Sequence, residues 1–313
     1  MKNPLVIFLC LIFAFVFVSC DSSQVTTEDS EILENDNSTS DLEFVLLNDN
    51  EYGVKCGENK KLETAVIPET YNGKPVIAIM DRGFDNCTSL KSITISNNVK
   101  SIGDSAFGTC INLTSVDMGN SVTSIGCYAF TGCVSLTSIT IPSSVTEIKE
   151  YGISAIPITS IEIGSNATNI AFEAFSGCNN LTNITVHKDN PNYKSIDGVF
   201  YTKDGSTLIQ YPAGKKEDSF IVPDSVEQIY STAFACSKSL KEVSVGKNVK
   251  SIGSYAFRDC DSLENVIFDN INNWCLTYSY LETSGIEIDV SESERNARNI
   301  RGQSSGAIWR CDL

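Results

Sequence analysis

The feature that most constrains the fold is a repeat of about 23 residues. Residues 101–136 read SIGDSAFGTCINLTSVDMGNSVTSIGCYAFTGCVSL, in which Ser-Ile-Gly, Ala-Phe and a cysteine each recur after 23 positions. The units are marked, at steps of 23, 23, 23, 22, 59 and 23, by Phe84, Phe107, Phe130, Ile153, Phe175, Phe234 and Phe257. A fixed period of this length is typical of proteins whose units stack in one dimension.

Each unit contains a strand pattern followed by a turn pattern. The segment L-x-x-I-x-I alternates apolar and polar side chains, as a half-buried strand does. A second apolar pair follows, and G-x-x-A-F-x-x-C then has the spacing of one tight helical turn. Since one unit cannot bury its apolar face alone, stacked coils must share a core. The sequence predicts a β-rich solenoid over residues 77–268, with about 23-residue coils, a parallel strand ladder and short helical turns. We expect an N-terminal cap and entry coil at 42–76 and a C-terminal cap at 269–313.

The step of 59 equals one repeat plus 36 residues. Two apolar segments there, Val199–Tyr201 and Thr207–Tyr211, flank Lys203-Asp204-Gly205, and an Asp-Gly turn between such segments indicates a β-hairpin. We therefore predict an inserted, protruding hairpin at about residues 193–222. It is either a binding feature or only an enlarged coil.

The N-terminus predicts export and lipid anchoring. Lys2 precedes an uncharged apolar run from Leu5 to Val18, which is short for a membrane span and typical of a signal peptide at 1–19. The run ends in Phe-Val-Ser-Cys, which resembles a bacterial lipobox with Cys20 as the lipidated residue, although Phe17 replaces the usual leucine. The alternative is an ordinary cleaved signal peptide. Residues 20–41 contain many acidic residues and no Lys or Arg, so they predict a solvated tether.

The repeat motifs resemble those of a known family. The unit Ser121 to Pro142, S-V-T-S-I-G-C-Y-A-F-T-G-C-V-S-L-T-S-I-T-I-P, is similar to the leucine-rich repeats of BspA-like surface proteins, related to the Treponema-type repeats. The entry segment V-I-P-E-T-Y-N-G-K-P, the segment D-G-V-F-Y…L-I-Q-Y-P and the closing segment IDVSESERNARNIRGQSSGAIWR also resemble that family, so the similarity spans roughly residues 42–310. The resemblance implies a cell-surface protein that adheres to host matrix, cells or glycans.

The recurring cysteines are expected to be packing residues. We assign Cys87, Cys110, Cys133, Cys178, Cys236 and Cys260 to this position, and Ile156 occupies it in the fourth unit. Isoleucine can neither bind metal nor form a disulfide, and a coil spacing of about 4.8 Å exceeds the Cβ separation that a disulfide prefers. Cys56, Cys127, Cys275 and Cys311 lie off this position, and Cys275 with Cys311 is a candidate disulfide of the C-terminal cap.

Composition and motifs argue against several other functions. A net charge of −16 disfavours nucleic-acid binding, which depends on clustered Lys and Arg. The single histidine, His187, ends a strand pattern and is expected to be solvated. No motif of a hydrolase, a metalloprotease or a phosphate-binding loop occurs, so we predict no enzyme activity, cofactor or metal site.

The predicted ligand-binding face is the outward side of the strand ladder. Its candidate residues are Thr94, Asp117, Thr140, Glu162, Thr185 and Ser244. Such a row of polar side chains suits an extended protein segment or glycan, although it lacks the aromatic and arginine residues that usually dominate binding, and it could serve only solubility. We expect a monomer at the outer surface that contacts the membrane only through its lipid. The alternative is a scaffold lipoprotein for envelope assembly.

Overall fold

The computed structural model describes residues 41–58, 61–272, 274–277, 286–287, 289–302 and 307–311. Over these residues the chain forms a β-solenoid of about 9 turns. The predicted signal peptide, Cys20 and nearly all of the tether lie outside the described residues. In chain order, the described elements are β1 (Leu42–Asn48), β2 (Glu51–Cys56), β3 (Thr64–Val66), β4 (Thr70–Tyr71), β5 (Lys74–Ile79), β6 (Ser92–Thr94), β7 (Ser101–Ile102), β8 (Ser115–Asp117), β9 (Ser124–Ile125), β10 (Glu147–Ile148), β11 (Ser160–Ile163), β12 (Asn169–Ile170), β13 (Asn183–Val186), β14 (Tyr193–Ile196), β15 (Val199–Thr202), β16 (Thr207–Gln210), β17 (Ser219–Ile221), β18 (Gln228–Ile229), β19 (Glu242–Val245), β20 (Ser251–Ile252), β21 (Asn265–Phe268), β22 (Trp274–Thr277), β23 (Ile286–Glu287), α1 (Ser293–Arg301) and β24 (Ile308–Cys311).

The L-x-x-I-x-I segments form the first strand ladder. They pair in parallel, each residue opposite the equivalent residue of the next coil, as in Ser92 with Ser115. The ladder is not continuous, because it consists of three sheets, β3-β6-β8, β11-β13 and β17-β19-β21, and residues 138–140 are not a strand. The predicted parallel register is therefore confirmed, and the structure adds that the ladder is interrupted between these sheets.

A second parallel ladder follows the first in each coil. Its strands are short, such as Ser124–Ile125, and they run in the order β5-β7-β9-β10-β12 and then, in a separate sheet, β16-β18-β20. Each of these strands contributes a buried aliphatic side chain to a core that it shares with the aromatic residues of the repeat, and this core is divided into two clusters. Burying one phenylalanine contributes about 2 kcal/mol, and Phe84, Phe107 and Phe130 stack with centroid separations of 5.3 and 5.1 Å.

The segment predicted as a helical turn is a series of tight turns instead. Within one coil, Gly108 N–H donates to Ser105 and Cys110 N–H donates to Phe107, both three residues back. The N–H groups at the alternate positions donate to carbonyls of the next coil, as at Ser105, Phe107 and Thr109. The residues two before and two after the aromatic position adopt positive φ in most coils, for example 54° at both Ser105 and Thr109, and an α-helix cannot contain such residues.

The inserted hairpin is present, but it is part of the core rather than protruding. β15 and β16 pair antiparallel across the predicted turn, and β14 pairs antiparallel with β15 through Asp197 and Gly198, both with positive φ. The strand β16 then joins the second ladder through β18. Tyr211 occupies the aromatic position of this coil and stacks on Phe234 at 5.3 Å. The step of 59 is therefore one enlarged coil followed by one ordinary coil.

Both ends of the solenoid are covered by additional elements. At the N-terminus, β1 pairs antiparallel with β2, and β2 continues the second ladder through β5. At the other end, β24 pairs antiparallel with β20, and α1 packs on β21. No helix in the described part of the chain is long and apolar enough to cross a membrane.

Candidate binding surfaces

The residues predicted to form the binding face lie on the exposed side of the first ladder. Thr94 is paired with Asp117, and Glu162 with Thr185. These four residues and Thr140 are exposed, and Ser244 is half-buried. Because the first ladder is split, five of these residues lie in three separate sheets, and Thr140 lies in residues 138–140, which are not a strand.

Apolar residues occupy the same row at both ends of the ladder. Val66 is 68% exposed and neighbours Thr94, while Ile221 is 75% exposed and neighbours Ser244. Ile267 lies on the other side of Ser244. A row of candidates drawn from polar residues alone omits these three, although the period itself places all of them on the exposed side of the ladder.

The recurring cysteines are buried thiols, as predicted, with one correction. Cys110, Cys133, Cys178 and Cys260 each direct Sγ to the backbone carbonyl of the aromatic position one coil earlier, at 3.0 to 3.2 Å. Burial raises the pKa of Cys178 to about 11 and of Cys260 to about 12, so these thiols stay protonated at neutral pH. The cysteine therefore joins adjacent coils by a weak hydrogen bond as well as filling space.

The assignment of Cys236 to this position is wrong. The residue three after Phe234 is Ser237, which is buried, whereas Cys236 has a positive φ of 63° and is half-buried. Ser237 Oγ has no hydrogen-bond partner among the described residues. Counting from the aromatic residue would have distinguished the two from sequence.

The two cysteines of the candidate disulfide, Cys275 and Cys311, lie on adjacent strands but not opposite each other. Cys275 lies opposite Arg310, and Cys311 lies opposite Trp274. Since neighbouring strand residues point to opposite faces, the two side chains point away from each other.

A cleft of about 510 Å³ lies where the second ladder is interrupted. The strand β16 would continue this ladder, but it pairs with β15 and β18 instead. The strand β12 is therefore the last strand of its sheet among the described residues. The hydroxyl of Tyr193 accepts the N–H of Ile170 at 2.9 Å and so replaces one ladder hydrogen bond. Phe172 and Tyr230, which both line the cleft, stack on each other with ring centroids 3.5 Å apart. The lining residues are Glu147, Ile148, Lys149, Glu150, Asn169, Ile170, Ala171, Phe172, Glu173, Tyr193 and Tyr230.

Carboxylates dominate the polar lining of this cleft. Burial and the charge of Glu150 raise the pKa of Glu173. Burial and the charge of Glu173 raise the pKa of Tyr151, which stacks on Tyr128 at 5.0 Å. An interruption of the ladder has thus produced a concave site with aromatic walls and negative charge. Sequence reasoning missed it because its residues come from four separate coils, and the period does not show which coils meet at an interruption.

The remaining sequence predictions concern the single histidine and metal binding. His187 is 43% exposed, and its Nδ1 accepts the N–H of Asp189 at 3.3 Å, as expected for a solvated residue. No cluster of three or more His, Cys, Asp or Glu side chains with metal-binding geometry occurs among the described residues.

Comparison with known proteins identifies the repeat. A family model for the BspA-type leucine-rich repeat region matches in six copies, over residues 50–182, 106–217 and 213–299. The chain belongs to the BspA-type leucine-rich repeat family. Among solved structures, this BspA-type chain is similar to a leucine-rich cell surface protein from Faecalibacterium prausnitzii, with 29% identity, a TM-score of 0.56 and 78% of each chain covered.

Two further structures share the fold of this BspA-type chain. The pneumococcal vaccine antigen PcpA is 20% identical with a TM-score of 0.60, and the alignment covers 77% of this chain and 71% of that one. The leucine-rich repeat protein of T. pallidum is 20% identical with a TM-score of 0.51, covering 73% and 91%. No match was found among curated proteins.

Proposed function

We propose that this chain is an exported, non-catalytic binding module that adheres to proteins or glycans outside the cell and is anchored by a lipid on Cys20. The observation that carries the proposal is the repeated presentation of exposed side chains at one position of successive coils, as at Thr94 and Asp117. Parallel strands place such side chains about 4.8 Å apart, which suits an extended ligand. The family and the similar Faecalibacterium cell surface protein support a surface location.

Location is tested first, by antibody labelling of intact cells with and without added protease. We expect labelling that protease abolishes. Labelling only after the envelope is opened would instead favour the scaffold function in envelope assembly, and a stable envelope partner recovered by crosslinking would support it.

Adhesion is tested with the full chain on immobilised matrix proteins and glycans. The variant Asp117→Ala/Thr140→Ala/Glu162→Ala changes the exposed ladder face, and Asp49→Ala/Glu69→Ala alters the charge by the same amount at the N-terminal end. We expect the ladder variant to lose binding and the control to keep it. If neither the full chain nor its variants bound any ligand, adhesion would be wrong.

A further inference from the structure

The cleft at the interrupted ladder is a concave surface built from four separate parts of the chain. Residues 147–150 and 169–173 come from consecutive coils, and Tyr193 and Tyr230 come from the enlarged coil and the coil after it. A volume of about 510 Å³ accommodates one or two side chains of a partner. Ordinary coils pack against each other at this place, so the cleft exists only where the period is broken.

The charge of the cleft favours a cation. Three glutamates, Glu147, Glu150 and Glu173, line it together with one lysine, Lys149. Glu147 already accepts a hydrogen bond from Asn169 at 2.6 Å. The carboxylates of Glu150 and Glu173 repel each other when both are ionised, and partial burial removes part of the hydration of the Glu173 carboxylate. A guanidinium or ammonium group between them would compensate both charges.

The aromatic groups also suit a cation. Phe172 and Tyr230 cover one face of each other, with ring centroids 3.5 Å apart. A planar guanidinium can stack on an outer face of this pair while its N–H groups reach the carboxylates, because aromatic faces attract cations. Arg258, whose guanidinium lies 5.7 Å from the ring of Tyr255, shows the same pairing elsewhere in this chain.

We propose that the cleft binds an arginine or lysine side chain of a partner protein, between the carboxylates of Glu150 and Glu173 and beside the Phe172–Tyr230 pair. The proposal rests on the proposed binding function and gives it a second surface, distinct from the ladder face. It commits the partner to a basic segment, which suits a protein whose net charge is −16.

The test measures binding of the full chain to a fluorescein-labelled peptide of alternating glycine and arginine, by fluorescence anisotropy at 50 and 150 mM NaCl. The variant Glu150→Gln/Glu173→Gln keeps the shape of the cleft and removes the mutual repulsion, so it is expected to fold. The control Asp117→Asn/Glu162→Gln makes the same change of net charge on the ladder face. A third variant, Tyr230→Leu, removes one ring.

We expect the cleft variant to weaken peptide binding about tenfold, Tyr230→Leu to weaken it a few-fold, and the ladder control to stay within about twofold of the unaltered chain. Equal weakening by the cleft and ladder variants would show that only the overall charge attracts the peptide, and would overturn the proposal. Binding of a neutral oligosaccharide such as maltoheptaose, lost in Tyr230→Leu but kept in the cleft variant, would assign the cleft to glycans instead. Adhesion that fails while the peptide binds the cleft would contradict the proposed function and leave this inference standing.

Discussion

At the scale of single residues, the aromatic position controls the backbone around it. The residues two before and two after it have positive φ in the coils of Phe84, Phe107, Phe130, Ile153, Phe234 and Phe257. Most of these residues are not glycine, so each accepts a conformation that costs about 1–2 kcal/mol in exchange for hydrogen bonds to the next coil. Local preference is overridden here by the requirement to pair every backbone group of the turn.

Gly177 tests this cost. It lies two residues after Phe175 with a φ of 74°, and a Cβ there would meet Ala155 Cα at 3.4 Å, an ordinary contact. We expect Gly177→Ala to lower the free energy of unfolding by about 1 kcal/mol, because alanine is strained at this positive φ even though its Cβ has room. Urea unfolding measures this, with Ala155→Gly as the control that should not destabilise. Unchanged stability of Gly177→Ala would show that the turn relaxes.

Ser237 offers a second test, because it occupies the position of the buried cysteines. The Cβ–Oγ bond of serine is shorter than the Cβ–Sγ bond of cysteine, and Ser237 Oγ has no hydrogen-bond partner among the described residues. We expect Ser237→Cys to raise the free energy of unfolding by about 1 kcal/mol, and Cys260→Ser to lower it by about the same amount. Denaturation under reducing conditions gives both values. A destabilised Ser237→Cys would mean that the site is too small for sulfur.

Glu173 makes stability depend on pH. Its folded pKa is raised by burial and by Glu150, so the ionised form disfavours folding and stability increases as pH falls through that raised pKa. We expect Glu173→Gln to raise Tm by roughly 2 °C at pH 7, with the difference disappearing below about pH 4. Thermal unfolding at both pH values tests this, with Glu162→Gln on the exposed ladder as control. A lower Tm of Glu173→Gln at pH 7 would contradict it.

At the scale of elements, the inserted hairpin divides the core. Phe200 and Ile209 belong to the cluster of the N-terminal coils, whereas Tyr201 and Leu208 belong to the cluster of the C-terminal coils. Because side chains alternate along a strand, β15 and β16 present one face to each cluster. The hairpin therefore functions as a partition that both halves of the solenoid pack against, and it creates the acidic cleft beside β12.

The elements that cover the C-terminal end of the solenoid are expected to prevent aggregation. β24 pairs with the open edge of β20, and the helix α1 buries Ala297 and Ile300 near β21. We expect a chain ending at Asp269 to aggregate, because both ladder edges and Phe268 become exposed. Size-exclusion chromatography measures this, with deletion of residues 21–40 as the soluble control. A soluble truncation that unfolds cooperatively would refute the expectation.

At the scale of the whole molecule, the hairpin and the stacked pair Phe172–Tyr230 lie between the two clusters. Both ladders are interrupted there, since β12 does not pair with β16 and β13 does not pair with β17. Stability in a stacked array is a sum of neighbouring contacts, so the weakest coupling lies at this junction.

We therefore expect two cooperative units in hydrogen exchange measured by mass spectrometry. Phe107→Ala, which costs about 3–5 kcal/mol in a packed core, should reduce protection across residues 42–186 and leave 219–268 nearly unchanged. Phe257→Ala should do the reverse. An equal loss of protection in both halves after either substitution would show a single cooperative unit.

The sequence by itself determined the solenoid, the parallel register, the inserted hairpin and the buried state of the recurring cysteines, because all of these follow from the period and from the alternation of apolar residues. Tertiary structure alone decided where the ladders break, that the hairpin is buried, that Cys275 and Cys311 face apart, and that Glu150, Glu173, Phe172 and Tyr230 form one cleft. The period describes only the features that the coils share. The cleft arises because β12 is not paired with β16, and this interruption depends on contacts between segments that are far apart in the chain.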